Sequence, residues 1–125
     1  MTITGLYAGI LALLFLVLSA HVVMGRFQFK TPFGDGGNGA LNRRIRIHGN
    51  FAEYVPLALI LMGILDYQQT SVTLLHVLGI TLVIARILHA IALTADIFPL
   101  RVAGVVGTFA VIGIEAVLTI SHYLL

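Results

Sequence analysis

Arg46-Ile47-His48-Gly49-Asn50-Phe51-Ala52-Glu53-Tyr54-Val55-Pro56 sets Arg46, His48, Asn50 and Glu53 at the head of a run otherwise apolar enough to cross a membrane. Ionisable groups in hydrocarbon cost roughly 2.5 to 3.5 kcal/mol each on insertion scales, so they persist where they pair with one another or bind something. The stretch therefore predicts a membrane-spanning helix that carries the functional site near its polar end.

The rest of the chain agrees with that setting. Of 125 residues, 59% are hydrophobic and 10% charged, with a mean hydropathy of +1.06, which is not the composition of a soluble domain. Apolar stretches run from Ile3 to Gly25, Arg44 to Leu65, Val72 to Ala95 and Val102 to Leu124. Each is close to the roughly 20 residues that a helix needs to span about 30 Å of hydrocarbon. The first lacks a basic segment before it and a small-residue cleavage site after it, so it reads as a retained helix and not a signal peptide. Short connections make neighbouring helices antiparallel. The expected fold is all-α, an up-down-up-down four-helix bundle integral to a membrane, as one domain over residues 1–125.

Several chemistries are excluded. The absence of cysteine removes disulfides, thiolate nucleophiles and Cys-ligated metals. No His-Glu-x-x-His occurs and no other metal spacing stands out, so no metal is expected. Ser19, Ser71 and Ser121 lack a matching His and Asp for a hydrolase triad. The long first loop, Phe27 to Asn42, centres on Phe33-Gly34-Asp35-Gly36-Gly37-Asn38-Gly39, but no Gly-Lys-Ser/Thr follows it, and a flexible connection replaces the phosphate-loop reading. Nothing points to nucleic acid.

Basic residues set the orientation. Arg26, Lys30, Arg43 and Arg44 flank or lie in the first connection, Arg101 lies at the third, and the second, Asp66 to Ser71, has none. Loops one and three are thus expected in the cytoplasm and both termini on the far side. At 100° per residue, Arg46, Asn50 and Glu53 fall within an arc of about 60°, while His48, about 160° from that stripe, is expected to face a different neighbour or the headgroup layer. Arg86 and His89, three apart, share a face of the third helix. Both groups reach the same leaflet half, so Glu53 can neutralise Arg86 or Arg46 and leave guanidinium donors free for an anionic ligand. A polar pocket opening to the cytoplasm is the simplest outcome. Pro56 should kink its helix or free the Ala52 carbonyl. Glu115, deep in the fourth helix, is expected either protonated or partnered by an adjacent helix, and His21, His76 and His122 at the interface. Gly5-x-x-x-Gly9 and Ala103 with Gly107 permit close helix contact, within the bundle or between subunits.

Arg46-x-His48-x-Asn50-x-x-Glu53, followed by Pro56, resembles the second-helix signature of the MAPEG proteins, the membrane-associated proteins in eicosanoid and glutathione metabolism. Arg86-x-x-His89 is similar to that family's third-helix motif, and the whole chain looks closest to its small bacterial members. The resemblance implies a homotrimer of a bacterial inner membrane, with sites between subunits that open to the cytoplasm and bind glutathione. On that resemblance Arg46, Asn50, Glu53, Arg86 and His89 hold the tripeptide, Arg26 contributes from the end of the first helix, and Arg101 is the catalytic arginine that stabilises the thiolate. A thiol of pKa about 8.5 is mostly protonated at neutral pH, and a nearby cation lowers that value. This chain departs from some members at Gly49, where they have a second arginine, at Leu93, where several have tyrosine, and at Val102, where some have serine.

The expected function is a glutathione-dependent transferase or peroxidase acting on lipophilic electrophiles or lipid hydroperoxides. The alternatives are a non-catalytic lipid- or thiol-binding member and a small proton-linked transporter using Glu53, His89 and Glu115.

Overall fold

A computed structural model describes residues 1–125. It contains α1 (Thr2–Gln28), α2 (Gly39–Tyr67), α3 (Val72–Ala95) and α4 (Phe98–Leu124), all long and apolar enough to cross a membrane. The all-α four-helix architecture read from the sequence is the architecture found. Two helices, α2 and α4, start a turn or more before their apolar stretches. The Asn38 side chain accepts from the Leu41 amide at 3.0 Å and caps α2, which thereby starts at Gly39, five residues ahead of Arg44, as a capping Asn does. Pro99 in the first turn of α4 pre-sets the helical φ there. With 29 residues, α2 is about 43 Å long and must reach beyond the hydrocarbon, which lets its polar first turns stand in the headgroup layer.

Cross-helix contacts fix direction and register. Thr4 binds Asp66 through its amide and its hydroxyl, both at 2.9 Å, near one end of α1 and α2. Arg44 donates to the His21 carbonyl at 3.0 Å near the other. Tyr7 meets His76 across the parallel pair α1 and α3, and Tyr54 meets Phe109 across α2 and α4. The largest interface joins α3 to α4, whereas α1 and α4 do not touch. In cross-section α1, α2, α4 and α3 form a rhombus with α2 and α3 on its short diagonal. A buried seam of Leu11, Phe51, Val55, Met62, Leu78 and Leu82, among others, fills the centre.

Helices in lipid gain no hydrophobic drive for association, so close packing must supply it. A Cβ on Gly104 would lie 2.8 Å from the Ala85 carbonyl, and one on Gly107 2.9 Å from the Ala85 Cβ. Gly79 similarly admits the Tyr7 ring. Gly107 thus serves the bundle, while Gly5 and Gly9 face open space. Outward side chains such as Leu13, Leu16, Ile60 and Val106 are exposed, as lipid contact requires. The first loop carries positive φ at Gly34, Gly36 and Gly37, conformations that favour glycine.

Candidate functional site

All seven Lys and Arg residues lie in the half of the bundle nearest the α1–α2 loop and the α3–α4 turn. Asp66 and both termini lie at the other end. Within the basic half a cleft of about 280 Å³ is lined by Asn42, Arg43, Arg46 and Asn50 of α2, His89 and Leu93 of α3, Asp96 of the turn and Arg101 of α4. The polar faces of α2 and α3 therefore meet at one site. Arg101 projects from the first turns of α4, near the positive end of that helix dipole.

Arg86 lies deeper, only 2% exposed. Its guanidinium makes long contacts of 3.5 Å to the Thr108 hydroxyl and to His89 Nδ1. It also stands 5.6 Å from the Phe51 ring centroid, a cation–π distance. Thr108 donates its own proton to the Gly104 carbonyl at 2.8 Å, which leaves its oxygen to accept from Arg86. A guanidinium can only donate, so His89 Nδ1 accepts and Nε2 carries the ring proton of the neutral imidazole. Arg86 thus fixes the tautomer of a histidine on the cleft wall. With Asn50, Tyr54, Val105, Thr108 and Phe109 it lines a small space of about 30 Å³. Asn50 Oδ1 and Arg86 Nε are buried without partners.

Glu53 pairs with Arg46 at 3.5 Å, both side chains about half exposed, and does not line the cleft. Of the two arginines available to it, Arg46 is the partner. One turn deeper than Asn50 the position facing α4 is Tyr54, against Phe109. Arg26 is apart, donating to the carbonyls of Thr31 at 3.2 Å and Gly34 at 2.8 Å. It clamps the first loop of its own chain. Arg44 likewise holds α1, so neither reaches the cleft.

His48 faces α1, the neighbouring helix and not the headgroup layer, the two outcomes its angular position left open. Its Nε2 lies 2.9 Å from the Ser19 hydroxyl, and its ring stacks on Phe15. Ser19 therefore does have a histidine neighbour, which the sequence did not reveal. Its single proton goes to the Phe15 carbonyl at 2.9 Å, so the imidazole donates to the oxygen and cannot activate it. Glu115 is fully buried with neither oxygen partnered. Asn42, Arg43 and Asp96 line the cleft but were not among the site residues expected from the sequence, where Arg43 served only to set the orientation. With α2 started at Gly39, the helical spacing of Asn42, Arg43, Arg46 and Asn50 would have shown the first two on the polar face.

Comparison with known proteins agrees with this layout. Residues 4–121 match the MAPEG family model. Over 107 residues, 86% of this chain and 82% of the relative, the sequence is 36% identical to the inner membrane protein YecN of Escherichia coli K12. The YecN of Escherichia coli O6:H1 strain CFT073 matches with the same identity and coverage. No solved structure matches. A match over nearly the whole chain, with the polar residues of α2, α3 and α4 gathered at one end of a four-helix membrane bundle, places the protein in the MAPEG family.

Proposed function

We propose that this protein is a glutathione-dependent transferase or peroxidase of a bacterial inner membrane, assembled as a homotrimer with the basic end of each bundle in the cytoplasm. The observation that carries the reading is the convergence of Arg43, Arg46, Asn50, His89 and Arg101 on one cleft. Glutathione has two carboxylates, an ammonium and a thiol, and guanidinium groups bind carboxylates in charge-assisted pairs. Arg43 and Arg46 hold the carboxylates, Asn50 and His89 Nε2 the peptide groups. Arg101, at the α4 N-terminus, faces the sulfur and stabilises its thiolate. In the transferase reaction the sulfur bonds to the electrophilic carbon as its leaving group departs with the bonding pair, and the thiol proton is released to solvent. In the peroxidase reaction two thiols reduce a hydroperoxide to an alcohol and water and become a disulfide.

The cleft of one chain is slightly smaller than the roughly 300 Å³ at which small-ligand sites begin. A neighbouring subunit would complete its wall, and Arg26, committed to its own loop, would reach a ligand only from such a neighbour. Conjugation of glutathione to chlorodinitrobenzene by purified protein tests the reading. Turnover that falls at least about 100-fold in Arg101→Ala supports it. Turnover unchanged by that substitution, or no glutathione binding at all, overturns it. A non-catalytic thiol-binding role has its own support: Leu93 puts an apolar side chain on the cleft wall, and Gly49 and Val102 add no polar side chain. Binding with no turnover on any electrophile or hydroperoxide would establish that second role.

A further inference from the structure

Side-chain hydrogen bonds tie every neighbouring pair of helices except those that α2 makes with α3 and α4. From α2 they go to α1, through Asp66, Arg44 and His48. Tyr7 joins α1 to α3, and Arg86 joins α3 to α4 through Thr108. Neither ion pair crosses from α2 to α3 or α4. At that junction, on the inner side of the cleft, lies the space of about 30 Å³ between Asn50 and Tyr54 of α2, Arg86 of α3, and Val105, Thr108 and Phe109 of α4.

Four buried side-chain atoms in the chain have no partner. Two are the Glu115 oxygens, and the other two, Asn50 Oδ1 and Arg86 Nε, belong to residues that line this space. One is an acceptor and the other carries a hydrogen to donate. Left dry, each loses its hydration with no bond in return. Water needs roughly 10 to 15 Å³ and two to four polar partners, and the space supplies both. Thr108, whose proton goes to the Gly104 carbonyl, offers a further acceptor. A halide would accept from Arg86 but meet the Asn50 oxygen with repulsion, whereas water accepts from the one and donates to the other.

We propose that one internal water bridges Arg86 Nε and Asn50 Oδ1 and is the hydrogen-bonded tie of α2 to the α3–α4 pair. The tie is independent of which thiol, if any, the cleft takes. Crystals of the full-length protein grown in bromide test it. A single peak within about 3 Å of both atoms, without anomalous signal at the bromine edge, is expected. An anomalous peak there would make the site a halide site, and no peak, or a direct protein bond to either atom, would remove the bridge; each overturns the inference. Thermal unfolding in detergent gives a second readout. Val105→Ile adds one methylene to the space, so it should displace the water and lower the melting temperature by about 4 °C. An unchanged or raised melting temperature would mean that a dry void had been filled, and overturns the proposal. Asn50→Leu, which removes the acceptor, separates this loss from overpacking. In that background the loss caused by Val105→Ile should at least halve, and a loss that does not halve reports packing strain and overturns the bridge.

Discussion

Arg86 and Glu115 are buried charge-bearing side chains of opposite type, and neither has the other or any ion pair as compensation. Arg86 is held by a hydroxyl, an imidazole and an aromatic face. Glu115 has no polar partner. A buried polar group without a hydrogen bond costs roughly 1 to 3 kcal/mol, so Glu115→Leu should raise unfolding stability in detergent by an amount of that order. A loss of stability would mean that the carboxyl has a partner in the assembled protein. Glu53→Gln removes only a half-exposed pair and should change the same measurement by less than about 1 kcal/mol. The sequence made Arg46, Asn50, Arg86 and His89 legible because polar residues repeating at helical period must share a face. Glu53 satisfies the same period but stays outside, since which part of a face turns inward depends on how α2 packs on α4, and spacing carries no such information. The Ser19–His48 contact was hidden for a related reason: the register of α1 on α2 is set across a long loop.

Helix existence was legible from hydropathy, and the C-terminal limits of α2 and α3 follow the apolar runs closely. The starts of α2 and α4 were not, because capping and proline extend a helix into polar sequence that no lipid-based criterion selects. The cap is testable: Asn38→Ala should cost about 1 kcal/mol, read by thermal unfolding, and loosen the first turns that carry Asn42 and Arg43. The α3–α4 interface is more demanding. Gly104→Leu would drive its side chain into the Ala85 carbonyl and His89. Overpacking of this kind costs typically 1 to 3 kcal/mol, and the displaced His89 should weaken ligand binding as well. An unchanged melting profile would show that the helices are not clamped there.

The whole molecule is polarised, with its basic groups and its cleft at one end and Asp66 at the other. The positive-inside rule predicts that end on the cytoplasmic side. Phe33→Cys, on the exposed first loop, should react with an impermeant maleimide only in inverted vesicles, and Gln68→Cys only in right-side-out ones. The reverse pattern would invert the topology. The native chain has no cysteine, so such labels carry no background. The glycine clamp between α3 and α4 has a mechanical consequence. His89 and Arg101 ride on one stiff body and Arg46 and Asn50 on another, so the jaws can part only along the seam that α2 makes with that body. Paired spin labels straddling this seam should report a broad, ligand-narrowed distance distribution, whereas a pair confined to α3 and α4 should stay sharp throughout.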